Sequence, residues 1–575
     1  MRNATLLALA ILLATTGAMA DNRTMTEMRD IAAAKLTRTA AVKGQWSQVR
    51  PATLQCAAED DAYAVFIPAE DAAGFVIVAR SNLVEPVIGY STERFDADDM
   101  PDGLRWFLAA VSRRLAAAEA GFAGAPRRTA AAFTPVDNFV TTQWSQDYPF
   151  DRKTPNNYPA GCIATALAQC LNYCQYPPSA DFTGSYSITT TKGKKETTEQ
   201  KTEHVSTTYT WPYKDTYKSR GSYGDNIDEL LRDCGYATYM EYTKDGSGSN
   251  CIYAALALTG EFGYPEECIK YHSQEIFNGD QEAWNQIIYD ELAARSPVLY
   301  GAKDPAVGGH AFVFTGVDAD GLVYVNWGWR GTADGFYDIQ LLDPTAVGSQ
   351  DHYTESHQMV TGIRTTPLAT DGIQTRIWGY SGDPYTFRWG TEENEDGTSF
   401  HTLYADLPYG FLNMSPSGFQ GVFGLFAQDL TDGTAWVIAE DLQDRDTIPS
   451  GYGYCGSSEQ YKEFYFYYDI SGEQGLKPGH TYRMAFGTKD DREGTWHSIL
   501  IQGQEIAYDI TYTGDPATST VDPEIKEMPV LTAVHAPLAA PVSSHQLPLY
   551  FDLSGRRIQQ PAHGLFIQGG RKVLR

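Results

Sequence analysis

Positive charge is scarce in this 575-residue chain: 44 Lys and Arg stand against 72 Asp and Glu, a formal net charge of −28. So acidic a surface repels phosphate backbones, which removes nucleic acid from the expected partners, and its plain meaning is solubility outside the cell. The one short basic run, Lys192-Gly193-Lys194-Lys195, sits between threonines and reads as an exposed hairpin tip rather than a binding patch. Cysteine is scarce too. Eight residues without regular spacing do not make a disulfide scaffold, and no bridge is expected. Cys170 and Cys174 are spaced to share a metal, but no second Cys/His pair at finger spacing follows them, so neither metal nor cofactor is called for. Long apolar runs are also missing. After Leu6–Leu13 nothing is long enough to span a bilayer, and no transmembrane segment is expected.

What the N-terminus does have is a secretory signal: Arg2 supplies the charge, Leu6–Leu13 the apolar stretch, and Ala18-Met19-Ala20 the small-residue cleavage site. Export follows, with cleavage after Ala20. The remaining length exceeds one hydrophobic core and implies three or four domains.

The most informative stretch is Gly161-Cys162-Ile163-Ala164-Thr165-Ala166-Leu167-Ala168-Gln169. Apolar residues at Ile163, Ala166, Leu167, Cys170, Leu171 and Cys174 trace the stripe of a buried helix, which Tyr176-Pro177-Pro178 ends. Cys162 falls in its first turn. Unpaired N–H groups and the positive dipole end favour a thiolate there, and the thiolate is the nucleophilic form. Pro159-Ala160-Gly161 leaves room for a substrate backbone, whereas Cys170 and Cys174 lie mid-helix and read as core. The plainer reading of Cys162 is one more buried, inert cysteine.

A second motif, Gly308-Gly309-His310-Ala311, opens a strand running to Val317, and Asp318-Ala319-Asp320-Gly321 turns into a second strand ending at Asn326-Trp327. A hairpin would bring Asn326 towards His310, where an amide can hold the imidazole tautomer and Trp327 can shield it from water. Taken alone, His310 is as well explained as a satisfied histidine at a strand edge.

Gln143-Trp144-Ser145-Gln146-Asp147-Tyr148-Pro149-Phe150, the Gly161–Gln169 segment, Gly308-Gly309-His310-Ala311 and Val325-Asn326-Trp327-Gly328-Trp329 come in the order seen in the streptopain family of papain-like cysteine proteases, which the chain resembles from about Asn138 to Asp343. The resemblance implies a papain-like α+β domain with Cys162 as nucleophile, His310 as base, Asn326 orienting it, Trp327 as support and Gln146 joining the Cys162 N–H in an oxyanion hole. Without it, Gln146 would read as a loop residue. Arg330 departs from the family pattern, which has a second glycine after the tryptophan. Aliphatic or aromatic preference beside the scissile residue is what the family implies, and a cation at the rim unsettles it.

Upstream, a helix from Met25 to Leu36, strands at Tyr63–Ile67 and Gly74–Ala79, and a helix from Leu104 to Ala118 form a small α+β unit that resembles the inhibitory propeptide of streptopain-type zymogens; a permanent accessory domain is the alternative. Gly121–Thr134, with Arg127-Arg128, reads as a cleavable linker. Downstream, Phe400–Ala405, Gly421–Ala427, Phe464–Tyr468 and Tyr482–Gly487 are short aromatic strands between turns, the pattern of a β-sandwich, of which the immunoglobulin-like arrangement is one form. The last two strands, after an Ala/Pro/Ser-rich linker, resemble the C-terminal tails on exported proteins of Bacteroidetes-type bacteria, and a plain terminal hairpin is the alternative.

The expected organisation is a signal peptide (1–20), an inhibitory propeptide (21–132), a papain-like cysteine protease domain (133–365), a β-sandwich (366–530), a linker (531–547) and a sorting-like tail (548–575). The expected function is a secreted or cell-surface cysteine endopeptidase made as a zymogen, acting on protein or peptide substrates, held by its own propeptide, and touching the secretion machinery or cell surface through its tail. The rivals are a surface binding protein built on a degenerate protease core and a Cys-His acyltransferase or amidase.

Overall fold

In the computed structural model the described residues are 22–42, 49–69, 74–120, 133–213, 226–273, 281–304, 308–342 and, with short interruptions, 356–526, plus short strands within 550–574. The signal peptide, most of the Gly121–Thr134 linker and the 531–547 linker lie outside them. Helices are α1 (Met25–Val42), α2 (Asp102–Glu119), α3 (Cys162–Cys174), α4 (Ile227–Ala237), α5 (Cys251–Gly260) and α6 (Gln281–Ala293). Strands up to residue 361 are β1 (Leu54–Glu59), β2 (Tyr63–Pro68), β3 (Phe75–Ala79), β4 (Val87–Ser91), β5 (Ser179–Lys192), β6 (Lys195–Thr208), β7 (Glu241–Tyr242), β8 (Lys270–Ser273), β9 (Val298–Asp304), β10 (Gly308–Val317), β11 (Val323–Asn326), β12 (Gly335–Tyr337) and β13 (Ser356–Thr361).

The chain divides into two compact units, the first made of residues 1–135, 317–325 and 332–352. Its helix α1 starts with a reciprocal cap: the Thr24 N–H donates to the Glu27 carboxylate at 2.7 Å, and the Glu27 N–H donates to Thr24 Oγ1 at 3.3 Å. Met28, Ala32 and Leu36, four residues apart on one face, bury against Ala64, Phe66, Val76 and Val78 of the sheet. Strands β1 to β4 are antiparallel neighbours in sequence order, and β12 joins beside β4, with Phe336 opposite Tyr90 and Tyr337 opposite Gly89. The anticipated strands and helices of this unit are present, and β1 and β4 are additions. Gln and Ala in β1 and Gly89 in β4 have weak strand preference, so these two form because neighbours complete them.

The second unit comprises residues 136–316, 326–331 and 353–575. Helices α3, α4 and α5 share one apolar core, built from Ile163, Leu167, Leu171, Leu230, Leu231 and Leu258 among others. An antiparallel sheet in the order β10-β9-β13-β8 sets His310 opposite Ala302 and Ala311 opposite Gly301. Strands β5 and β6 make a hairpin of fourteen paired positions whose tip is Gly193, φ +67°, and Lys194, as the basic run suggested. Residues beyond 376 are β-rich: Ser399–Leu407, Gly421–Asp429, Phe464–Asp469 and His480–Asp490 are strands, close to the four expected segments.

Candidate active site

Helix α3 begins at Cys162, with Gly161 as its N-cap at φ +90°, a left-handed conformation that glycine adopts without strain. A Cβ at Gly161 would also lie 2.7 Å from Met240 Sδ and 3.2 Å from the Ser247 carbonyl oxygen. Gly161→Ala is therefore expected to cost about 1–3 kcal/mol of folding stability and to displace the nucleophile's turn, so that activity falls more than the folded fraction does. Thermal unfolding read beside thiol-titrated activity checks this.

Cys162 is half-buried, and His310 is buried at the start of β10. Burial raises the Cys162 thiol, but the hydrogen bond with His310, the imidazolium charge, and the N–H groups of Ala311 and Ile163 outweigh it, and its pKa lies below the ordinary thiol value. Every other described cysteine for which a shift is resolved moves the opposite way. Burial lifts Cys174 and Cys268 to about 11 and pushes Cys56, Cys170, Cys234 and Cys251 up as well. Only Cys162 is thus poised as a thiolate among them.

The imidazole Nε2 lies 3.3 Å from the carbonyl oxygen of Trp327. Trp327 itself is buried edge-on against Phe312, centroids 4.9 Å apart. The side chain of Asn326, expected to face the imidazole, instead holds its own loop. Its Nδ2 donates to the Thr142 carbonyl at 2.7 Å, and its Oδ1 accepts from Gly328 N–H at 3.0 Å and from Gln169 Nε2 at 3.2 Å. The reason is local: Gly328 at φ +67° folds its N–H back over residue 326, and two buried groups compete successfully for the amide.

Gln146 is half-buried, and its carbonyl accepts the Ala160 N–H at 2.7 Å, which brings its segment beside the turn leading into Cys162. The neighbouring Trp144 carbonyl accepts from Arg330 N–H at 3.0 Å, and Arg330 Nη2 donates to the Tyr148 carbonyl at 3.0 Å. Arg330 has φ +56°, the conformation in which a glycine is at home, so the departure noted in the sequence keeps the backbone shape and adds a guanidinium tied to the Gln146 segment. Cys162, His310, Trp327 and the Gln146 segment all belong to the second unit. Thr142 and Gln169, both buried, were not anticipated as part of it. A polar residue seven positions after Cys162 on an apolar helix face was the available signal.

Residues 144–337 match the Peptidase C10 family and residues 22–115 the Spi protease inhibitor family. The thiol protease/hemagglutinin PrtT of Porphyromonas gingivalis is 29% identical over 329 residues, covering 52% of this chain and 37% of that protein's length. Streptopain of Streptococcus pyogenes is 27% identical over 298 residues, covering 48% of this chain and 74% of streptopain. Among solved structures, a prointerpain A fragment from Prevotella intermedia is 28% identical with a TM-score of 0.45, over 55% of this chain and 99% of the fragment. This chain carries a domain of the Peptidase C10, or streptopain, family over residues 144–337, preceded by a Spi protease inhibitor domain over residues 22–115.

Proposed function

We propose that the chain is an exported cysteine endopeptidase made as a zymogen, with a papain-like catalytic domain, an inhibitory propeptide, a β-sandwich and a sorting tail in the boundaries expected from sequence. The observation that carries the proposal is one thiol, alone among the described cysteines, held below its ordinary pKa by a histidine and two N–H groups, inside a segment that matches a peptidase family. The sandwich reading is supported by one apolar core that draws Phe387 and Leu403 from one sheet and Tyr482, Met484 and Phe486 from another.

In this mechanism His310 takes the Cys162 proton, giving a thiolate–imidazolium pair. The thiolate adds to the scissile carbonyl, and the oxyanion is held by the Cys162 N–H and the Gln146 amide. Collapse breaks the C–N bond, and the imidazolium delivers its proton to the departing amine. Water, deprotonated by His310, then attacks the thioester, the acid is released and Cys162 leaves as the thiol. The Trp327 carbonyl steadies the imidazole, and Asn326 acts one step removed, by fixing the loop that carries that carbonyl.

Latency is supported by contacts inside the first unit. Strand β4 of the inhibitor domain pairs with β12 of the peptidase segment, Tyr90 stacks on Phe336 at 5.2 Å, and Tyr90 Oη donates to Asp318 Oδ2 at 2.9 Å. Lys35 pairs with Asp318 and Asp320 at 3.2 and 2.9 Å. The inhibitor domain therefore grips both chain segments flanking residues 326–331, the stretch containing Asn326 and Trp327.

An epoxide-type thiol-protease inhibitor, located by peptide mass spectrometry, tests the proposal. Labelling confined to Cys162 supports it, whereas even labelling across the cysteines would favour the binding-protein reading. Product formation that depends on an added amine would favour the acyltransferase.

A further inference from the structure

Gln169 lies on α3 seven residues after Cys162, wholly buried, with no charged partner among the hydrogen bonds described for it. Each of its bonds has a forced direction. The Thr142 carbonyl and the Gly328 N–H fix which end of the Asn326 amide faces which, because the first only accepts and the second only donates. Asn326 Oδ1 thus faces Gln169, which must present Nε2 at 3.2 Å, and its Oε1 is left to accept Thr142 Oγ1–H at 2.7 Å. The ring of contacts joins three pieces of chain: the helix that carries the nucleophile, the segment before Gln146, and the loop whose next residue offers its carbonyl to His310.

We infer that Gln169 is a positioning residue for the proposed proteolysis: by clamping Asn326 to α3, it fixes the Trp327 carbonyl and hence the distance and tilt of His310 relative to Cys162. The inference rests on the protease reading and extends it, since Gln169 would act through Asn326 and touch neither substrate nor the reacting atoms. Burial supplies the physical reason. A buried amide whose oxygen and nitrogen both have fixed partners is rigid, and removing one donor leaves Asn326 Oδ1 with Gly328 alone, free to let the loop drift. A drift on the order of 1 Å at the base is enough to cost about a hundredfold in rate.

Two substitutions, made in the full chain and assayed after trypsin has cut the 121–134 linker, test this. Gln169→Met keeps the length and apolar volume but has no donor. It is expected to lower kcat, per titrated active site, about ten- to a hundredfold with KM nearly unchanged, and to slow alkylation of Cys162 by iodoacetamide by about tenfold near pH 6, where the thiolate exists only through its pairing with His310. Gln169→Glu supplies a conditional rescue. A protonated carboxyl can donate to Asn326 Oδ1 and accept from Thr142, whereas a carboxylate cannot donate, so its alkylation rate relative to wild type should rise as pH falls. Thr142, Asn326 and Gly328, which the structure sets against the Gln169 amide and its loop, carry no charge; Cys162 and His310 ionise in both proteins, and because a loosened pair would by itself lower the ratio as pH falls, a rise points to the carboxyl at position 169. A residue that only supports folding would lower the melting temperature and the titrated fraction and leave both ratios flat.

Alkylation needs no substrate, so the two claims separate. If wild type labels selectively at Cys162 and Gln169→Met matches it within about twofold in both rate and kcat, the positioning role is overturned while the protease stands. If Gln169→Met does not fold, a flat pH ratio for Gln169→Glu overturns it instead. Absence of selective labelling in wild type would sink the protease reading itself.

Discussion

Replacing His310 with alanine should shift the onset of Cys162 alkylation to higher pH and reduce kcat/KM by about 10³- to 10⁴-fold. The sign follows from the forces on the thiol. Burial raises its pKa, and the imidazole, through a hydrogen bond and its charge, is what turns the balance downwards. With the imidazole gone, burial wins, opposed only by the N–H groups of Ala311 and Ile163. Wild type therefore reacts on the acid side of the ordinary thiol range, and the thiolate is lost only as pH falls far enough to protonate the pair. In His310→Ala that window closes, and Cys162 should join the six cysteines already raised by burial. Equal alkylation profiles for the two proteins would mean that helix α3 alone activates the thiol.

The second large effect concerns latency. Gly89 lies opposite Tyr337 in the β4–β12 pair, and a Cβ there would sit 2.5 Å from Tyr337 Cδ1 and 3.1 Å from the Phe336 carbonyl oxygen. The tyrosine ring cannot swing aside cheaply. It is fully buried, its hydroxyl donates to the Ala333 carbonyl at 2.6 Å, and Phe107 of α2 packs edge-on against it at 5.2 Å. Gly89→Val should therefore cost about 1–3 kcal/mol at this strand pair, which converts to about 5- to 150-fold more activity from the uncut chain on a small peptide substrate. Tyr90→Phe is the contrasting variant. It removes one hydroxyl from Asp318, which keeps Lys35 and the N–H groups of Asp320 and Leu322, so the uncut chain should stay latent. Unchanged latency in both variants would place the inhibitory contact elsewhere than the β4–β12 edge.

What was legible in the sequence was whatever one short stretch of chain could spell. The apolar stripe from Ile163 to Cys174 announced α3 and set Cys162 in its first turn, and the run from His310 to Val317 announced β10. The four motifs carried the family because each is local. Less legible were features that depend on distant partners. The hydrogen bond from the imidazole ends on a backbone carbonyl, which has no side-chain signature, so a side chain, Asn326, was expected in its place. Gln169 and Asn326 are 157 residues apart, and nothing near either one names the other. Arg330 was noticed as an exception to a glycine pattern, but only its φ of +56° says what the glycine was for. Likewise β4 became visible only with β12 alongside it, since its own sequence is broken by the glycine that admits Tyr337.

The most direct test is to incubate residues 21–575 and the Cys162→Ala variant under reducing conditions and to follow intact mass and casein hydrolysis together. The account predicts that the wild-type chain loses about its first 110 residues, a domain-sized piece, and hydrolyses casein, while the alanine variant does neither. Casein left intact by wild type even after trypsin has cut the 121–134 linker, or processing and hydrolysis by the alanine variant at the wild-type rate, would contradict it.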